Sequence, residues 1–217
     1  RPQGVPWPSE DNELLYRTVL PEHHREVSTS EGVTGTVVVE ASSWLEDNQW
    51  VLDLAVNDSW IVGFVGHVEP GREGFAADIE RFAGNPLFRG IRLGGGFLEG
   101  IEQGSLLDDM EVLVKNDLEL DLLMNIDHWD GLCFLAERIG ELRIVVNHLA
   151  SVEIDGNQPD SKWVDCMHRV SDFTQVYMKV SGLVEMAHVQ PAPTDLGYYL
   201  PTLDVLWESY GEDRLIY

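Results

Sequence analysis

The sequence of 217 residues is 44% hydrophobic and carries 38 acidic against 14 basic residues, which gives a formal net charge of −24 at pH 7. A chain of this length can bury a large core, and so acidic a surface repels phosphate backbones and anionic lipids, so we expect neither a nucleic-acid partner nor a membrane partner. The two cysteines, Cys133 and Cys166, show no disulfide or metal-ligand spacing, and no apolar run approaches the roughly 20 residues of a membrane span, so we expect a cytoplasmic protein.

Strands and helices alternate along the sequence. Runs rich in β-branched and aliphatic residues predict strands, and one amphipathic helix separates each pair of strands. The predicted strands are residues 33–40, 60–67, 88–93, 118–124, 141–148 and 175–181, and a seventh begins at 213–217. The expected inward residues include Val51, Leu54 and Ala55 in the helix after the first strand, and Leu203, Leu206, Trp207 and Tyr210 in the last helix. Such alternation is typical of a parallel α/β sheet.

The number of strands favours a (β/α)8 TIM barrel over an open dinucleotide-binding sheet. An open sheet of that kind needs a glycine-rich turn after its first strand. Residues 40–43 contain no glycine, and the glycines between positions 94 and 100 lack the G-x-G-x-x-G spacing. We therefore predict an α/β fold in which residues 1–217 form a single barrel domain. A TIM barrel takes about 250 residues, and this sequence starts with Arg1 rather than methionine, so we expect the domain to be incomplete at both ends.

Polar residues stand where the predicted strands end. In a parallel barrel the carboxyl ends of the strands converge on one mouth, so these side chains are candidates for a common site. They are Glu40, His67, Arg92, Asn125 with His128, His148, and Lys179 with Ser181. Imidazoles, a guanidinium and a carboxylate around one cavity suit a polar, anionic or carbonyl-bearing small molecule.

Each of these residues also has a structural interpretation. His148 closes the apolar run I-V-V at 144–146 and is either a ligand-facing imidazole or a strand-end histidine bonded to a neighbouring carbonyl. Arg92 offers a rigid fork for a carboxylate, or an ion pair with a nearby acid. Lys179 and Ser181 lie two residues apart, so strand alternation puts them on one face, where they could share a hydrogen bond.

Five short segments, in their order along the chain, resemble those of a known protein family. They are V-V-V-E-A-S at 37–42, F-R-G-I-R at 88–92, V-V-N-H-L at 145–149, V-Y-M-K-V-S-G-L at 176–183 and Y-G-E-D-R-L-I-Y at 210–217. The residues and the order of these segments resemble the TIM-barrel amidohydrolase superfamily, and within it the branch of sugar lactonases and 2-pyrone-4,6-dicarboxylate lactonase. That family carries an H-x-H pair on its first strand and an aspartate on its last. The resemblance therefore implies that the first strand and most of the last strand are missing from this chain.

The resemblance also implies roles for particular residues. His148 matches the histidine of the sixth strand, a carbonyl-polarising group or metal ligand, and Arg92 matches a substrate-binding basic position on the fourth strand. Metal-dependent relatives keep a histidine at the end of the fifth strand, where this chain has Leu-Met-Asn at 123–125. His128 is a weak substitute three residues later. The resemblance thus implies either no cofactor or a single divalent metal such as zinc, with His148 as its ligand if the metal is present.

The predicted function is hydrolysis of a lactone or related cyclic ester of a sugar acid or carboxylic acid. His148 is the predicted catalytic residue, and the missing aspartate of the last strand would take a proton from water. The predicted substrate-binding residues are Arg92, Glu40, His67, Asn125, His128 and Ser181. Two alternatives stay open: a metal-dependent decarboxylase or hydratase of the same superfamily, and a barrel that binds a carboxylate without catalysis. The sequence predicts a small-molecule substrate and leaves the oligomeric state open.

Overall fold

The structure, a computed structural model, describes residues 8–102 and 105–217. The chain divides into two compact units, Arg1–Arg92 and Leu93–Tyr217. The first unit contains α1 (Pro21–Ser28), β1 (Thr36–Val39), α2 (Leu45–Ala55), β2 (Ile61–Gly66), α3 (Phe75–Ala83) and most of β3 (Phe88–Gly94). The second contains α4 (Leu106–Lys115), β4 (Glu119–Leu123), α5 (Trp129–Arg138), β5 (Ile144–Val146), α6 (Ser161–Ser171), β6 (Val176–Lys179), α7 (Leu200–Tyr210) and β7 (Leu215–Ile216). All the predicted strands are present, and the single-domain organisation stays a prediction.

In the first unit, the parallel strands follow the order β1-β2-β3. Val38 pairs with Phe64, and Phe64 pairs with Phe88, so these side chains share one face of the sheet. The Phe88 ring contacts Phe64 at 6.0 Å and Phe82 of α3 at 5.5 Å between ring centroids. This aromatic cluster attaches α3 to the sheet by burying large apolar rings.

In the second unit, the parallel strands follow the order β4-β5-β6-β7. One face of β4, β5 and β6 is wholly apolar, and each of its side chains has 0% of its surface exposed. These residues are Leu120, Leu122, Ile144, Val146, Val176 and Met178. Register places Asp121, Val145 and Tyr177 on the opposite face. Asp121, the buried carboxylate of β4, therefore lies on the face away from these apolar side chains.

Every strand except β3 is shorter than its sequence run. The run at 141–148 yields only Ile144–Val146, and the run at 33–40 yields only Thr36–Val39. Among the candidate site residues, Glu40, His67 and His148 lie just beyond the ends of β1, β2 and β5, whereas Arg92 and Lys179 lie within β3 and β6.

Two helices bury a different stripe from the predicted one. In α7 the buried residues are Thr202, Val205, Leu206 and Tyr210, whereas Trp207 is 57% exposed. The helical period of 3.6 residues cannot bury both the stripe through Leu206 and the competing stripe through Trp207. In α2 the buried residues are Asn48, Leu52 and Ala55. Among the described residues, no helix has the length and apolarity needed to cross a bilayer.

Candidate active site

In the first unit, Glu40 and His67, which follow β1 and β2, come together with Arg92 of β3. Arg92 Nε donates to Glu40 Oε1 at 3.1 Å, and the two side chains are only 22% and 11% exposed. His67 lies beside them, with Nδ1 3.2 Å from the backbone oxygen of Arg92. Its Nε2 is 3.1 Å from Glu69 Oε2. The structure thus brings together three predicted site residues, and the ion-pair interpretation of Arg92 is correct in this structure.

Asn48 of α2 fixes the end of β2 immediately before His67. Its Nδ2 donates to the His67 carbonyl at 2.7 Å, and its Oδ1 accepts from the His67 backbone N–H at 2.9 Å. Asn48 is 2% exposed. A Cβ on Gly66 would lie 2.3 Å from Asn48 Oδ1, so this contact requires glycine. Asn48 was not among the residues predicted from the sequence. The only signal was an amide in the first turn of a helix with an otherwise apolar inner face.

A cavity of about 370 Å³ lies along β1 and α2 in the same unit. Its walls are mostly aliphatic, and they reach Glu40 but, among the described residues, include neither His67 nor Arg92. A polar substrate gains little from aliphatic walls. We therefore do not assign this cavity to substrate binding.

In the second unit, His148 and Ser181 form a direct pair across the ends of β5 and β6. His148 Nδ1 is 2.8 Å from Ser181 Oγ. Gly182, at a φ of +72°, lies against the ring, since a Cβ there would be 3.3 Å from His148 Nδ1. The hydroxyl can donate to this ring nitrogen and so select one tautomer of the imidazole.

The backbone turns left-handed at His148, and the strand alternation predicted for it ends before this residue. The φ angles of residues 148–151 are 51°, 55°, 53° and 56°, and none of these residues is glycine. Each non-glycine residue in this region costs about 1–2 kcal/mol. The surroundings of His148 must therefore supply interactions that hold the turn, as is common for strained backbone near functional groups.

Lys179 is paired with Asp121, whereas strand alternation predicted a possible hydrogen bond with Ser181. Lys179 Nζ donates to Asp121 Oδ2 at 2.6 Å, and the Asp121 side chain is 1% exposed. Asp121 pairs in register with Val145, and Val145 with Tyr177. Lys179 shares a face with Tyr177, so its side chain reaches across β5 to Asp121. The sequence signal for Asp121 was a lone carboxylate in the apolar run L-D-L-L at 120–123.

Asn125 and His128 belong to a short 3-10 segment after β4, Ile126–His128. Asn125 Oδ1 accepts from the Asp127 N–H at 3.0 Å, so its amide begins this segment. The His128 ring packs on the backbone of Gly95, where a Cβ would lie 2.6 Å from Nδ1. Its Nε2 is 4.0 Å from Glu99. These contacts support local structure, and the predicted roles of both residues in substrate binding stay predictions.

Comparison with known proteins decides the family. Residues 6–217 match the model of a protein family described as amidohydrolase. The chain belongs to the amidohydrolase family. It is therefore a hydrolase, and the resemblance found in the sequence is confirmed. This amidohydrolase is 30% identical over 217 residues to an L-fucono-1,5-lactonase of Burkholderia ambifaria, a match that covers 97% of this chain and 72% of the relative.

Solved structures show the fold. An amidohydrolase from Burkholderia multivorans with bound HEPES matches with a TM-score of 0.86 at 20% identity, covering 99% of this chain and 78% of that one. A protein from Acinetobacter baumannii with bound citric acid, described as a probable 2-pyrone-4,6-dicarboxylic acid hydrolase, matches with a TM-score of 0.70 at 13% identity, covering 94% of this chain and 76% of that one. The predicted α/β fold of the TIM-barrel amidohydrolases is thus confirmed.

A metal is a further point of comparison. A second crystal form of the Burkholderia multivorans amidohydrolase has bound zinc. Within residues 8–102 and 105–217 of the present chain, no three His, Cys, Asp or Glu side chains are grouped as a metal site requires. His148, the predicted ligand, uses Nδ1 for Ser181. The described residues therefore do not form a zinc site by themselves.

Proposed function

We propose that this amidohydrolase hydrolyses a lactone or a related cyclic ester of a sugar acid or carboxylic acid. The proposal rests on the L-fucono-1,5-lactonase relative, with support from the neighbour described as a 2-pyrone-4,6-dicarboxylic acid hydrolase. The observation that carries the assignment of residues is the His148–Ser181 pair at the ends of β5 and β6. The substrate is accordingly a small molecule with an electrophilic carbonyl.

His148 is the proposed catalytic residue. When the Ser181 hydroxyl donates a hydrogen bond to Nδ1, the imidazole carries its own proton on Nε2. The Nε2–H group then donates a hydrogen bond to the carbonyl oxygen of the lactone. As water attacks, negative charge develops on that oxygen, and a fixed donor stabilises it by about 3 kcal/mol. Ser181, predicted to bind substrate, acts in this proposal on the imidazole.

Arg92 is the proposed binding residue for a carboxylate or hydroxyl group of the substrate. Glu40 engages its Nε and thereby holds the guanidinium plane. The other two nitrogens offer four further N–H donors in a fixed fork. His67 and Glu40 are assigned to the same binding role because the structure joins them to Arg92.

His148→Ala tests the proposed function. With L-fucono-1,5-lactone as the probe, we expect kcat/KM to fall at least about tenfold, which corresponds to about 1.4 kcal/mol. His168→Ala is the matched control, because His168 is an exposed histidine on α6 and its removal should leave turnover unchanged. Equal turnover by His148→Ala and the wild type would remove His148 from the mechanism. Absence of turnover with any sugar lactone in the wild type would refute the proposed substrate class.

The second candidate function is a metal-dependent decarboxylase or hydratase of the same superfamily. The zinc in the Burkholderia multivorans structure favours it. Metal analysis of the purified protein, followed by chelation, separates the two candidates. One zinc ion per chain, with decarboxylation or hydration activity lost on chelation and restored by zinc, would select the second. Lactone hydrolysis that chelation leaves unchanged would select the first.

A further inference from the structure

The left-handed turn His148–Ser151 contains no glycine, and its inner residues are buried. Leu149 and Ala150 are 0% and 1% exposed. A side chain with a Cβ resists positive φ, so the chain would relax to a right-handed or extended path if nothing opposed it. Such relaxation would move the His148 ring, because His148 is the first residue of the turn.

A buried hydrogen bond from α6 reaches the middle of the turn. Trp163 Nε1 donates to the backbone oxygen of Leu149 at 3.0 Å. Trp163 is 1% exposed, so packing in α6 fixes its indole ring. Two further bonds lie at the ends of the turn: Ala150 N–H donates to Asn147 O at 3.1 Å, and Ser151 Oγ donates to Met124 O at 3.2 Å. Trp163 therefore contacts the turn at the carbonyl whose direction depends on the left-handed path.

We propose that Trp163 is a positioning residue for the His148 imidazole. Its indole N–H is directional, and it satisfies the buried Leu149 carbonyl only while the turn is left-handed. The bond thereby couples the packing of α6 to the placement of His148 against Ser181. This inference rests on the role proposed for His148.

Trp163→Phe removes the indole N–H and keeps an aromatic ring in the core. We expect kcat for the lactone to fall at least about fivefold with little change in KM, because a displaced catalytic group affects the reaction more than substrate binding. Trp129→Phe is the matched control. Trp129 is 3% exposed, and its Nε1 has no hydrogen-bond partner within the part of the chain that the structure describes. It should change kcat by less than about twofold.

Two further variants separate positioning from loss of packing. Replacement of Trp163 by benzothienylalanine keeps the bicyclic shape and puts sulfur in place of the N–H. It should therefore fold and show the same loss of kcat. Ala150→Gly added to Trp163→Phe should restore most of kcat, because glycine adopts positive φ without a Cβ penalty.

NMR of the His148 ring provides a measurement that does not depend on turnover. The ¹⁵N chemical shifts of the His148 imidazole should change in the benzothienylalanine protein and stay at wild-type values in Trp129→Phe. If benzothienylalanine at position 163 leaves both kcat and these shifts at wild-type values, the positioning role is overturned. If His148→Ala also leaves turnover unchanged, the catalytic role of His148 fails while lactone hydrolysis stands, and the ¹⁵N shifts alone then decide whether Trp163 positions the ring. A loss of kcat in Trp163→Phe that Ala150→Gly does not rescue would likewise contradict the inference.

Discussion

Two buried polar side chains, Asp121 and Asn48, show how single residues determine the surroundings of the candidate site. Asp121 is 0% exposed and accepts a hydrogen bond from Lys179, and Asn48 is 2% exposed and bonds twice to the backbone of His67. A buried polar group without a partner is costly, so each side chain requires its partner. Their partners lie 58 and 19 positions away in the sequence, respectively. Neither contact could be predicted from local pattern.

The Asp121–Lys179 pair gives a prediction for stability. Lys179→Met should lower the free energy of unfolding by about 3–5 kcal/mol, because it removes the ammonium group that pairs with a buried carboxylate. The double variant Asp121→Leu with Lys179→Met should recover most of this loss, since it removes both charges. Urea denaturation measures the three proteins. Lys162→Met is the control, because Lys162 is 64% exposed and its pairing contributes at most about 1 kcal/mol. A Lys179→Met protein as stable as the wild type would contradict the prediction.

At the scale of elements, the segments that follow β5 and β6 are joined to each other. Ile154 and Ala187 form a parallel bridge, His188 N–H donates to Ile154 O at 2.8 Å, and Tyr198 OH donates to the same oxygen at 2.7 Å. The His188 ring also pairs with Glu153. These segments come after His148 and Ser181, which lie just beyond β5 and β6. The contacts between these two segments therefore support the His148–Ser181 pair from outside the sheet.

The His188–Glu153 contact makes the association of the segments after β5 and β6 dependent on pH. The hydrogen bond that the His188 ring donates to Glu153, and then the charges of Glu153 and Asp155, raise the pKa of His188 above its ordinary value, which is about 6.5. A raised pKa in the folded state means that the contribution is fully present below about pH 6.5 and is lost as pH rises through the higher folded value.

Hydrogen exchange checks this pH dependence. Between about pH 6 and pH 8.5, the protection factors of the His188 and Ile154 amides should fall in the wild type. In His188→Gln they should stay at one lower level across the same range, because glutamine does not titrate. If the protection factors depend on pH in the same way in both proteins, the charge of His188 does not stabilise the contact between the two segments.

At the scale of the whole molecule, the fold is retained where most of the sequence is not. At 20% identity the TM-score with the Burkholderia multivorans amidohydrolase is 0.86. Apolar pattern and volume determine such a fold, and many sequences satisfy them. The net charge of −24 concerns the surface. It affects solubility and the choice of partners, and the expected absence of a nucleic-acid partner stays a prediction.

The sequence by itself determined the alternation of strands and helices, the parallel arrangement and the positions of the polar strand ends. Hydrophobic periodicity is local, so a single chain displays it without its fold. Only the tertiary structure decided which polar groups meet: Arg92 with Glu40, His148 with Ser181, and Lys179 with Asp121. The left-handed backbone at His148 could not be predicted from the sequence either, because the segment contains no glycine. Such a path needs contacts with other parts of the chain, such as the hydrogen bond from the Trp163 indole, to offset its local cost.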